Sequence, residues 1–164
     1  MTQEIAIIVA IESKHGIGFK NNIPWYISND FKKFKSKTIN NIVIMGRKTW
    51  ESLPRIQLPS RINIVITRYN YIDSKDLYFV KSFDRALELS KEFDKSIYLI
   101  GGTRIFSLGL NVVDRIYVTR INEHYLCDTF FPTIPQDRFM LTNRSPLIID
   151  KKISYYNEIY DSIS

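Results

Sequence analysis

Short apolar runs recur along the chain and set the pattern of its predicted secondary structure. The first run, at residues 5–11, contains only aliphatic side chains, which is typical of a strand buried on both faces of a parallel sheet. Further runs that are mainly apolar predict strands at 41–46, 62–67, 77–80, 96–100 and 115–121. We expect most of these strands to lie in one sheet.

Segments with helical spacing separate the apolar runs. Ser28 is a candidate N-cap, and the helix after it places an acid and two aromatic residues on one face: Asp30, Phe31 and Phe34. The opposite face carries three basic residues: Lys32, Lys33 and Lys35. A second helix is expected from Arg47, and a third after Ser82, which is its candidate N-cap.

The order of these elements predicts the fold class. Strand, loop and helix follow one another four times, which is the pattern of an α/β protein with a mainly parallel central sheet flanked by helices. The last segments, 139–142 and 153–160, alternate in polarity and predict a closing antiparallel pair. No repeat, linker or low-complexity stretch interrupts the 164 residues, so we expect a single domain spanning 1–164.

The charge and hydrophobicity of the chain limit the kinds of ligand or partner that we expect. The chain has 23 basic and 17 acidic residues and a formal net charge of +6, an excess that suits a polyanionic ligand. The basic residues are dispersed rather than interleaved with aromatic ones, which argues against nucleic acid as the partner. No apolar run is long enough to span a membrane, and no signal peptide is indicated.

Cysteine and histidine content argues against two kinds of site. Cys127 is the single cysteine, so an internal disulfide is excluded and a reducing compartment is indicated. His15 and His124 are the two histidines, too few for a zinc site in a chain with one cysteine, and no other metal is expected. We expect a cytoplasmic protein, and a monomer.

Asp30 is the first candidate for chemistry. A carboxylate on an apolar helix face costs several kcal/mol unless a partner or a proton compensates for its burial. Desolvation would raise the pKa of an unpaired acid among Trp25, Phe31 and Phe34, which suits proton transfer at neutral pH. The alternative is structural, because an acid in the first turn of a helix also interacts favourably with the macrodipole.

Four predicted strand ends fall on the edge of the sheet where α/β proteins bind ligands. Three of them carry groups suited to phosphate: Gly46-Arg47-Lys48-Thr49, Thr67-Arg68 and Gly101-Gly102-Thr103-Arg104. Any one of them could be an ordinary basic surface turn, but their coincidence favours a phosphate-containing ligand. The fourth leads into a loop at 12–22, rich in glycine and asparagine, which we expect to be mobile and to cover a bound ligand.

Taken together these residues resemble one family, dihydrofolate reductase, from about residue 5 to residue 160. The motifs that carry the resemblance are Gly16-Ile17-Gly18, Ile23-Pro24-Trp25 with Asp30 five residues on, Val43-Ile44-Met45-Gly46-Arg47-Lys48-Thr49-Trp50-Glu51-Ser52, Leu58-Pro59-Ser60-Arg61, Ile100-Gly101-Gly102 and Asp128-Thr129-Phe130-Phe131-Pro132. Met-Gly-Arg-x-Thr-Trp-Glu-Ser in series with Pro-Trp and an acid is a highly specific combination.

The resemblance implies NADPH-dependent reduction of 7,8-dihydrofolate to tetrahydrofolate, which supplies one-carbon units for thymidylate and purine synthesis. Hydride would pass from the nicotinamide to C6 of the pterin, and a proton would reach N5. Asp30 would be the ionisable side chain of the pterin pocket, would hold the pterin's amino group and ring nitrogen, and would promote protonation through ordered water near Trp25. Thr119 matches the position that hydrogen-bonds to that carboxylate.

The resemblance also assigns contacts to substrate and cofactor. Pterin and benzoyl contacts would come from Ile8, Ala10, Phe31, Phe34, Leu53 and Ile100. Leu58 and Arg61 would hold the tail, with Arg61 gripping the glutamate α-carboxylate bidentately. The residues implied in NADPH binding are Ala10, Gly16, Ile17, Gly18, Asn22, Gly46, Arg47, Lys48, Thr49, Thr67, Arg68, Ile100, Gly101, Gly102, Thr103, Arg104, Ile105 and Phe106.

Within the NADPH set, three arginines and a threonine resemble the family's adenosine-phosphate cluster: Arg47, Thr67, Arg68 and Arg104. Lys48 and Thr49 would lie on the pyrophosphate, and residues 101–106 would supply main-chain contacts to phosphate. The family has a cis peptide between its paired glycines, so one is expected between Gly101 and Gly102. Residues 16–22 match the mobile loop that closes on the nicotinamide.

The chain departs from the family pattern at three positions. Phe106 stands where many members have tyrosine, which excludes a hydroxyl there. Lys48 stands where some have histidine, so cofactor affinity should be less sensitive to mild acid. Ser60 replaces a frequent glycine or asparagine.

Two other functions are compatible with a basic α/β domain. The reductase of riboflavin synthesis shares fold and cofactor, but the Pro24-Trp25 loop, Asp30 and Arg61 argue against it. A nucleotide-binding module without catalysis is the second alternative. Retention of Asp30 beside the whole cofactor cluster argues against that module.

Overall fold

The computed structural model of the protein describes residues 3–163. Within this range the strands are β1 (Ile5–Ile11), β2 (Gly16–Gly18), β3 (Ile42–Gly46), β4 (Ile62–Ile66), β5 (Leu77–Val80), β6 (Ile97–Gly101), β7 (Arg115–Ile121), β8 (Thr129–Phe130), β9 (Phe139–Arg144), β10 (Ile148–Asp150) and β11 (Ile153–Ser162). The helices are α1 (Ser28–Thr38), α2 (Arg47–Glu51), α3 (Phe83–Ser90) and α4 (Thr103–Gly109). Every predicted strand is present, with ends that differ by at most two residues from those expected.

One sheet forms the centre of the molecule. Within residues 3–163 it has nine strands in the order β10-β11-β7-β1-β6-β3-β4-β5, with β9 paired to β11. The strands from β7 to β5 run parallel to one another. Strand β11 is antiparallel to β7, β9 and β10. The predicted α/β sheet, mainly parallel with a C-terminal antiparallel pair, is therefore confirmed.

Both faces of the sheet are buried. Successive side chains along a strand point to opposite faces, so each strand contributes to two cores. The core against α3 and α4 is built from Ile7, Ile44, Leu99 and Ile116 of the strands and Phe83, Ala86, Ile105 and Phe106 of the helices. The core on the opposite face contains Ala6, Val43, Met45, Tyr98 and Tyr117, against which Trp50 and Leu53 pack. Two buried faces explain why the parallel strands are mainly apolar in the sequence.

Helix α1 lies over the second of these faces, where the ammonium of Lys37 sits 4.1 Å from the ring centroid of Tyr117. The predicted serine N-cap is wrong: Ser28 is the first helical residue, and the N-cap position, Ile27, makes no side-chain hydrogen bond. Ile27 is buried in a cluster with Trp25, so packing rather than capping fixes the start of the helix. The cap of α3 is confirmed, since Ser82 accepts a hydrogen bond from the backbone N–H of Arg85.

The expected basic face of α1 is also partly wrong. Lys32 and Lys35 are exposed, but Lys33 is half-buried. Its side chain reaches Asn157 in β11, with 2.9 Å between Lys33 Nζ and Asn157 Oδ1. The reason is helical spacing, because a residue three positions after Asp30 lies on the same side of the helix as Asp30.

Three short strands were not expected. Strand β2 forms inside the predicted loop 12–22 and pairs with β8, while β10 pairs with the start of β11. Strands of two or three residues leave no period in the sequence that could reveal them. Among residues 3–163, no helix combines the length and the apolar character that a bilayer crossing requires.

Candidate active site

Asp30 of α1 lies against strand β7. The hydroxyl of Thr119 donates a hydrogen bond of 2.5 Å to Asp30 Oδ1, so the hydrogen bond that the resemblance implies is present. Burial raises the pKa of Asp30 above its ordinary value, while this hydrogen bond and the positive charge of Lys33 act in the opposite direction. Asp30 is therefore protonated more easily than an exposed aspartate, as suits a group that handles protons.

A lysine accompanies this acid, so Asp30 is less isolated than the sequence indicates. Burial lowers the pKa of Lys33, the charge of Asp30 raises it, and Lys37 one turn further on lowers it again. The Lys33 ammonium donates its hydrogen bond to Asn157. Asn157 pairs directly with Thr119 across β7 and β11, so acid, hydroxyl, amide and ammonium form one group.

Apolar side chains surround this group on the same face of the sheet. Ile8 and Ile100 pack against the second core, together with Leu53 and Leu58. Ala10 pairs with Thr119 in the β1–β7 register. Of the residues expected to contact a pterin and its benzoyl group, Ile8, Ala10, Leu53 and Ile100 thus lie on this face.

Trp25 and Phe31, both expected near the acid, lie in different environments. Trp25 is buried, and its ring centroid lies 5.4 Å from that of Tyr125. Phe31 is 48% exposed and stacks obliquely on Tyr26, with 5.3 Å between ring centroids. An exposed phenylalanine next in sequence to a half-buried acid is a surface that an apolar ligand could cover.

A cavity of about 400 Å³ opens next to α1. Leu58 and Arg61, expected at the substrate tail, and Leu53, expected at the pterin and benzoyl group, line it together with Lys35 and Arg55. The side chain of Arg61 is held by two hydrogen bonds, from Nε to the carbonyl of Pro59 at 2.8 Å and from Nη1 to Thr38 Oγ1 at 3.2 Å. These bonds orient a guanidinium at an apolar wall, an arrangement suited to a carboxylate.

Two glycine turns meet at the C-terminal ends of β3 and β6. A Cβ atom on Gly46 would lie 3.9 Å from both the carbonyl oxygen of Gly101 and the backbone nitrogen of Gly102. The peptide bond between Gly101 and Gly102 is cis, as the resemblance implies. Gly101 has φ of 129°, which L side chains rarely adopt. Thr49 Oγ1 would be 3.4 Å from a Cβ at Gly101, so Thr49 lies at the same turn.

The expected phosphate-binding cations stand at the ends of three adjacent strands, β6, β3 and β4. Arg47 is the first residue of α2 after β3, Arg68 follows β4, and Arg104 lies in the first turn of α4 after β6. Lys48, Arg68 and Arg104 are exposed. Thr67 is buried and its hydroxyl accepts a hydrogen bond from the backbone N–H of Tyr69 at 3.1 Å.

Arg47 already has two partners. Its Nη1 lies 2.9 Å from both carboxylate oxygens of Glu51, and its guanidinium carbon is 4.7 Å from the ring centroid of Tyr69. A phosphate at this position would therefore compete with Glu51 for Arg47. Arg68 and Arg104 stay available to an anion because they are exposed.

The remaining residues expected to bind the cofactor, in and just before α4, differ in how deeply they are buried. Ile105 and Phe106 are buried in the first core, so their main chains rather than their side chains could meet a phosphate. Thr103 Oγ1 donates to the carbonyl of Phe130 at 3.1 Å. Ile100 and Gly102 are half-buried at the end of β6.

Strand β2, in the segment after β1, pairs with β8 and packs against the first core. Gly16 and Gly18 of β2 pair with Phe130 and Thr129 of β8, and Ile17 between them packs against the first core. A Cβ on Gly16 would come within 2.4 Å of Cys127 Sγ, so this close approach requires glycine. Further on, Asn22 is exposed.

Asn21, beside Asn22, donates from Nδ2 to the carbonyl of Lys48 at 3.0 Å. The segment that the sequence assigns to a covering loop therefore touches the start of α2 at the candidate phosphate site. Its mobility remains a prediction.

Sequence reasoning missed several residues of the site. Helical spacing could have placed Lys33 beside Asp30, and it could have paired Arg47 with Glu51 four residues on. No local signal could have identified Asn157, Thr38 or Tyr69. Asn157 reaches the site because β11 pairs with β7, which depends on the topology of the whole sheet.

A phosphate-rich cofactor fits these residues. Two glycine turns meet at the sheet edge, and exposed arginines follow the ends of the same strands. Among the residues described, no group of three or more metal-ligating side chains comes together. The fold and the site together define an α/β protein that combines phosphate-compatible turns at one sheet edge with a half-buried carboxyl group.

Comparisons with known proteins identify the class more closely. The family model of dihydrofolate reductase matches residues 4–162. A dihydrofolate reductase from Buchnera aphidicola subsp. Schizaphis graminum is 37% identical over 98% of this chain and 99% of its own length. One from Staphylococcus haemolyticus is 36% identical over 98% of this chain and 96% of its own.

A solved structure agrees with these matches. The dihydrofolate reductase from Enterococcus faecalis, complexed with NADP(H) and RAB-propyl, superimposes with a TM-score of 0.88 at 29% identity and covers 98% of this chain and 97% of that one. The chain belongs to the dihydrofolate reductase family.

Proposed function

We propose that the chain is a dihydrofolate reductase that reduces 7,8-dihydrofolate to 5,6,7,8-tetrahydrofolate with NADPH. The observation that carries this function is the position of Asp30, an acid whose pKa burial raises, hydrogen-bonded to Thr119 beside the strand ends with the glycine turns. Family membership over nearly the whole chain supports the same reaction. The activity places the enzyme in one-carbon metabolism and thymidylate synthesis.

NADPH would supply the hydride for C6 of the pterin. Arg68 and Arg104 would hold its phosphates by charge, with Arg47 exchanging Glu51 for phosphate. Lys48 and Thr49 would lie at the pyrophosphate, and the absence of side chains at Gly46, Gly101 and Gly102 would let that group approach closely. The remaining cofactor contacts are those assigned from the family motif.

Asp30 would hold the pterin and favour its protonation at N5. An ionised carboxylate in a partly desolvated pocket stabilises positive charge beside it, so it would favour transfer of a proton from water to N5. Thr119 would keep the carboxylate oriented through its hydrogen bond. Trp25, buried beside Tyr125, would shape the entrance through which water brings the proton.

Arg61 would bind the tail of the substrate. Its guanidinium is already fixed by Pro59 and Thr38, so little side-chain entropy remains to be lost on binding a carboxylate. The apolar wall formed by Leu53 and Leu58 would cover the benzoyl group. Ile8, Ala10, Phe31, Phe34 and Ile100 would enclose the pterin.

We also propose that the protein is a cytoplasmic monomer that does not act on nucleic acid. Support comes from the lone Cys127, which suits a reducing compartment, and from a candidate site built within one chain. Light scattering of the purified protein measures the oligomeric state. Cell fractionation tests the compartment.

A spectrophotometric assay tests the function directly. The purified protein, NADPH and 7,8-dihydrofolate should give loss of NADPH absorbance together with tetrahydrofolate, identified by chromatography. The ribosylated pyrimidine that the riboflavin reductase uses should give no turnover. Absence of NADPH oxidation with dihydrofolate, by a protein shown to be folded, would contradict the proposed function.

A further inference from the structure

Lys33 is a charged side chain that the proposed chemistry does not use. It is half-buried, and its ammonium donates a 2.9 Å hydrogen bond to Asn157 Oδ1. A buried lysine is costly, since desolvation disfavours its charge. Burial lowers the pKa of Lys33, so the fold keeps a cation here at some cost.

The position of Lys33 relative to Asp30 is fixed from two directions. Helix α1 places the two residues three positions apart, on one side of the helix. Strand β11 holds the far end of Lys33 through Asn157, which pairs with Thr119, the same residue that donates to Asp30. The hydrogen bond of Lys33 goes to the amide rather than to the carboxylate, so Asp30 keeps acceptor oxygens for a ligand.

We propose that Lys33 is a positioning residue for the reaction: anchored by Asn157, its positive charge keeps Asp30 ionised in the free enzyme and sets the pH range over which the site accepts its proton. The proposal rests on the proposed function for its second part. Its first part, the ionisation of Asp30, is a property of the free protein.

The other groups around the acid do not supply this charge. Thr119 donates a neutral hydrogen bond, and Asn157 is uncharged. Tyr155 of β11 has its pKa raised by burial and then by the charge of Asp30, so it stays neutral. Lys37 acts on Lys33, whose pKa it lowers by repulsion. Lys33 is therefore the cation whose charge opposes the burial of Asp30.

Replacing Lys33 by an uncharged residue should shift the pH dependence of hydride transfer toward higher pH. A carboxylate that loses a neighbouring positive charge is protonated more easily. A pterin that takes up a proton beside Asp30 also meets less repulsion. Both effects move proton uptake to higher pH, so a variant without the charge should sustain hydride transfer at more alkaline pH than the wild type.

Lys33→Met tests the proposal, with Lys32→Met as its matched control. Both changes replace lysine by an unbranched apolar residue in α1, but Lys32 is exposed and lies outside the candidate site. The carboxyl carbon of Asp30 is titrated by NMR in the free protein, assigned by its loss in Asp30→Asn. The midpoint should rise by roughly half a pH unit or more in Lys33→Met and stay near the wild-type value in Lys32→Met.

The rate of hydride transfer is then measured against pH with NADPH and dihydrofolate. The pH at which the rate has fallen by half should rise in Lys33→Met, and Lys33→Arg should restore it because the positive charge returns. Asn157→Ala keeps the charge but releases its anchor, so it should give a smaller shift in the same direction. Asn157→Ala therefore also tests the proposal if Lys33→Met fails to fold.

The effect of Lys33 on the ionisation of Asp30 and its effect on the reaction can be tested separately. Equal Asp30 titrations in Lys33→Met and Lys32→Met would overturn the proposal even in an active enzyme. A shifted titration in a protein without reductase activity would instead contradict the proposed function. A purely structural lysine would alter stability while leaving both pH profiles in place.

Discussion

The Nδ1 atom of His124 lies 2.8 Å from the Oε2 atom of Glu12, so a half-exposed imidazole meets a side chain with 0% exposure. Glu12 follows β1 directly and holds two segments together. Its Oε1 atom accepts from the backbone N–H groups of Gly16 and Lys14, and its Oε2 atom accepts from that of Tyr125. This carboxylate thus fixes the start of the candidate covering loop against the segment before β8.

Glu12→Gln should destabilise the protein by about 1–3 kcal/mol at neutral pH, because the amide nitrogen of glutamine would face a backbone donor. Burial alone would raise the pKa of Glu12, but hydrogen bonds from Gly16, Tyr125, His124 and Lys14 hold it below its ordinary value. Urea unfolding at several pH values measures the loss.

The pH dependence of that loss has a fixed sign. A carboxyl group whose pKa is lower in the folded state stabilises the protein above its unfolded pKa, and this stabilisation disappears as the pH falls through the folded pKa. The difference between wild type and Glu12→Gln should therefore shrink below the ordinary pKa of 4.5. Glu88→Gln, on exposed α3 surface, should change stability by less than about 0.5 kcal/mol.

Preference for NADPH over NADH should depend on Arg47 and Arg68. Each charge-assisted contact to the additional phosphate is worth roughly 1.5–3 kcal/mol, and Arg47 should lie at the low end because it gives up Glu51 on binding. Replacing both by alanine should raise the Michaelis constant for NADPH far more than that for NADH. Arg85→Ala, on the exposed surface of α3, is the control, and equal effects on both cofactors would contradict a phosphate role.

Arg61→Leu should weaken dihydrofolate binding by roughly 30- to 1000-fold, the cost of about 2–4 kcal/mol for one bidentate carboxylate contact. NADPH affinity should hardly change. Arg61→Lys should recover only part of the loss, since an ammonium lacks the planar fork of donors. A pterin without the glutamate tail provides the control, and if its binding also weakened, Arg61 would serve the fold through Thr38 and Pro59 rather than the substrate.

Most of the fold could be predicted because its signal is local. A strand buried on both faces is continuously apolar, and Ile5–Ile11 and Ile42–Gly46 show this. Ser82 was identifiable as an N-cap from its residue type. Ser28 was not, because the start of α1 is fixed by the burial of Ile27, a contact made with residues far along the chain.

The candidate site was predictable to the extent that it follows strand ends. Gly46, Arg68 and Gly101 could be placed on one edge because parallel strands share it. The residues that interact around Asp30 could not be placed from the strand ends. Asn157 depends on the β7–β11 register. Lys33 lies beside Asp30 rather than on the predicted basic face, because residues three positions apart share one side of a helix.

Hydride transfer by Asp30→Asn, followed in a single turnover across a range of pH, tests the central claim most directly. Asparagine keeps the shape of the side chain and can accept the hydrogen bond from Thr119, but it cannot attract a proton. The reaction would then depend on substrate that is already protonated from bulk water. Asp94→Asn, in the exposed segment before β6, and an unchanged affinity for NADPH serve as controls.

The predicted result is a loss of at least ~100-fold at pH 7, typical of a missing general acid. The rate of the variant should also climb steadily as the pH falls, through the range in which the wild-type rate levels off. Near-normal activity of Asp30→Asn at pH 7, or a pH profile like that of the wild type, would contradict the role assigned to Asp30.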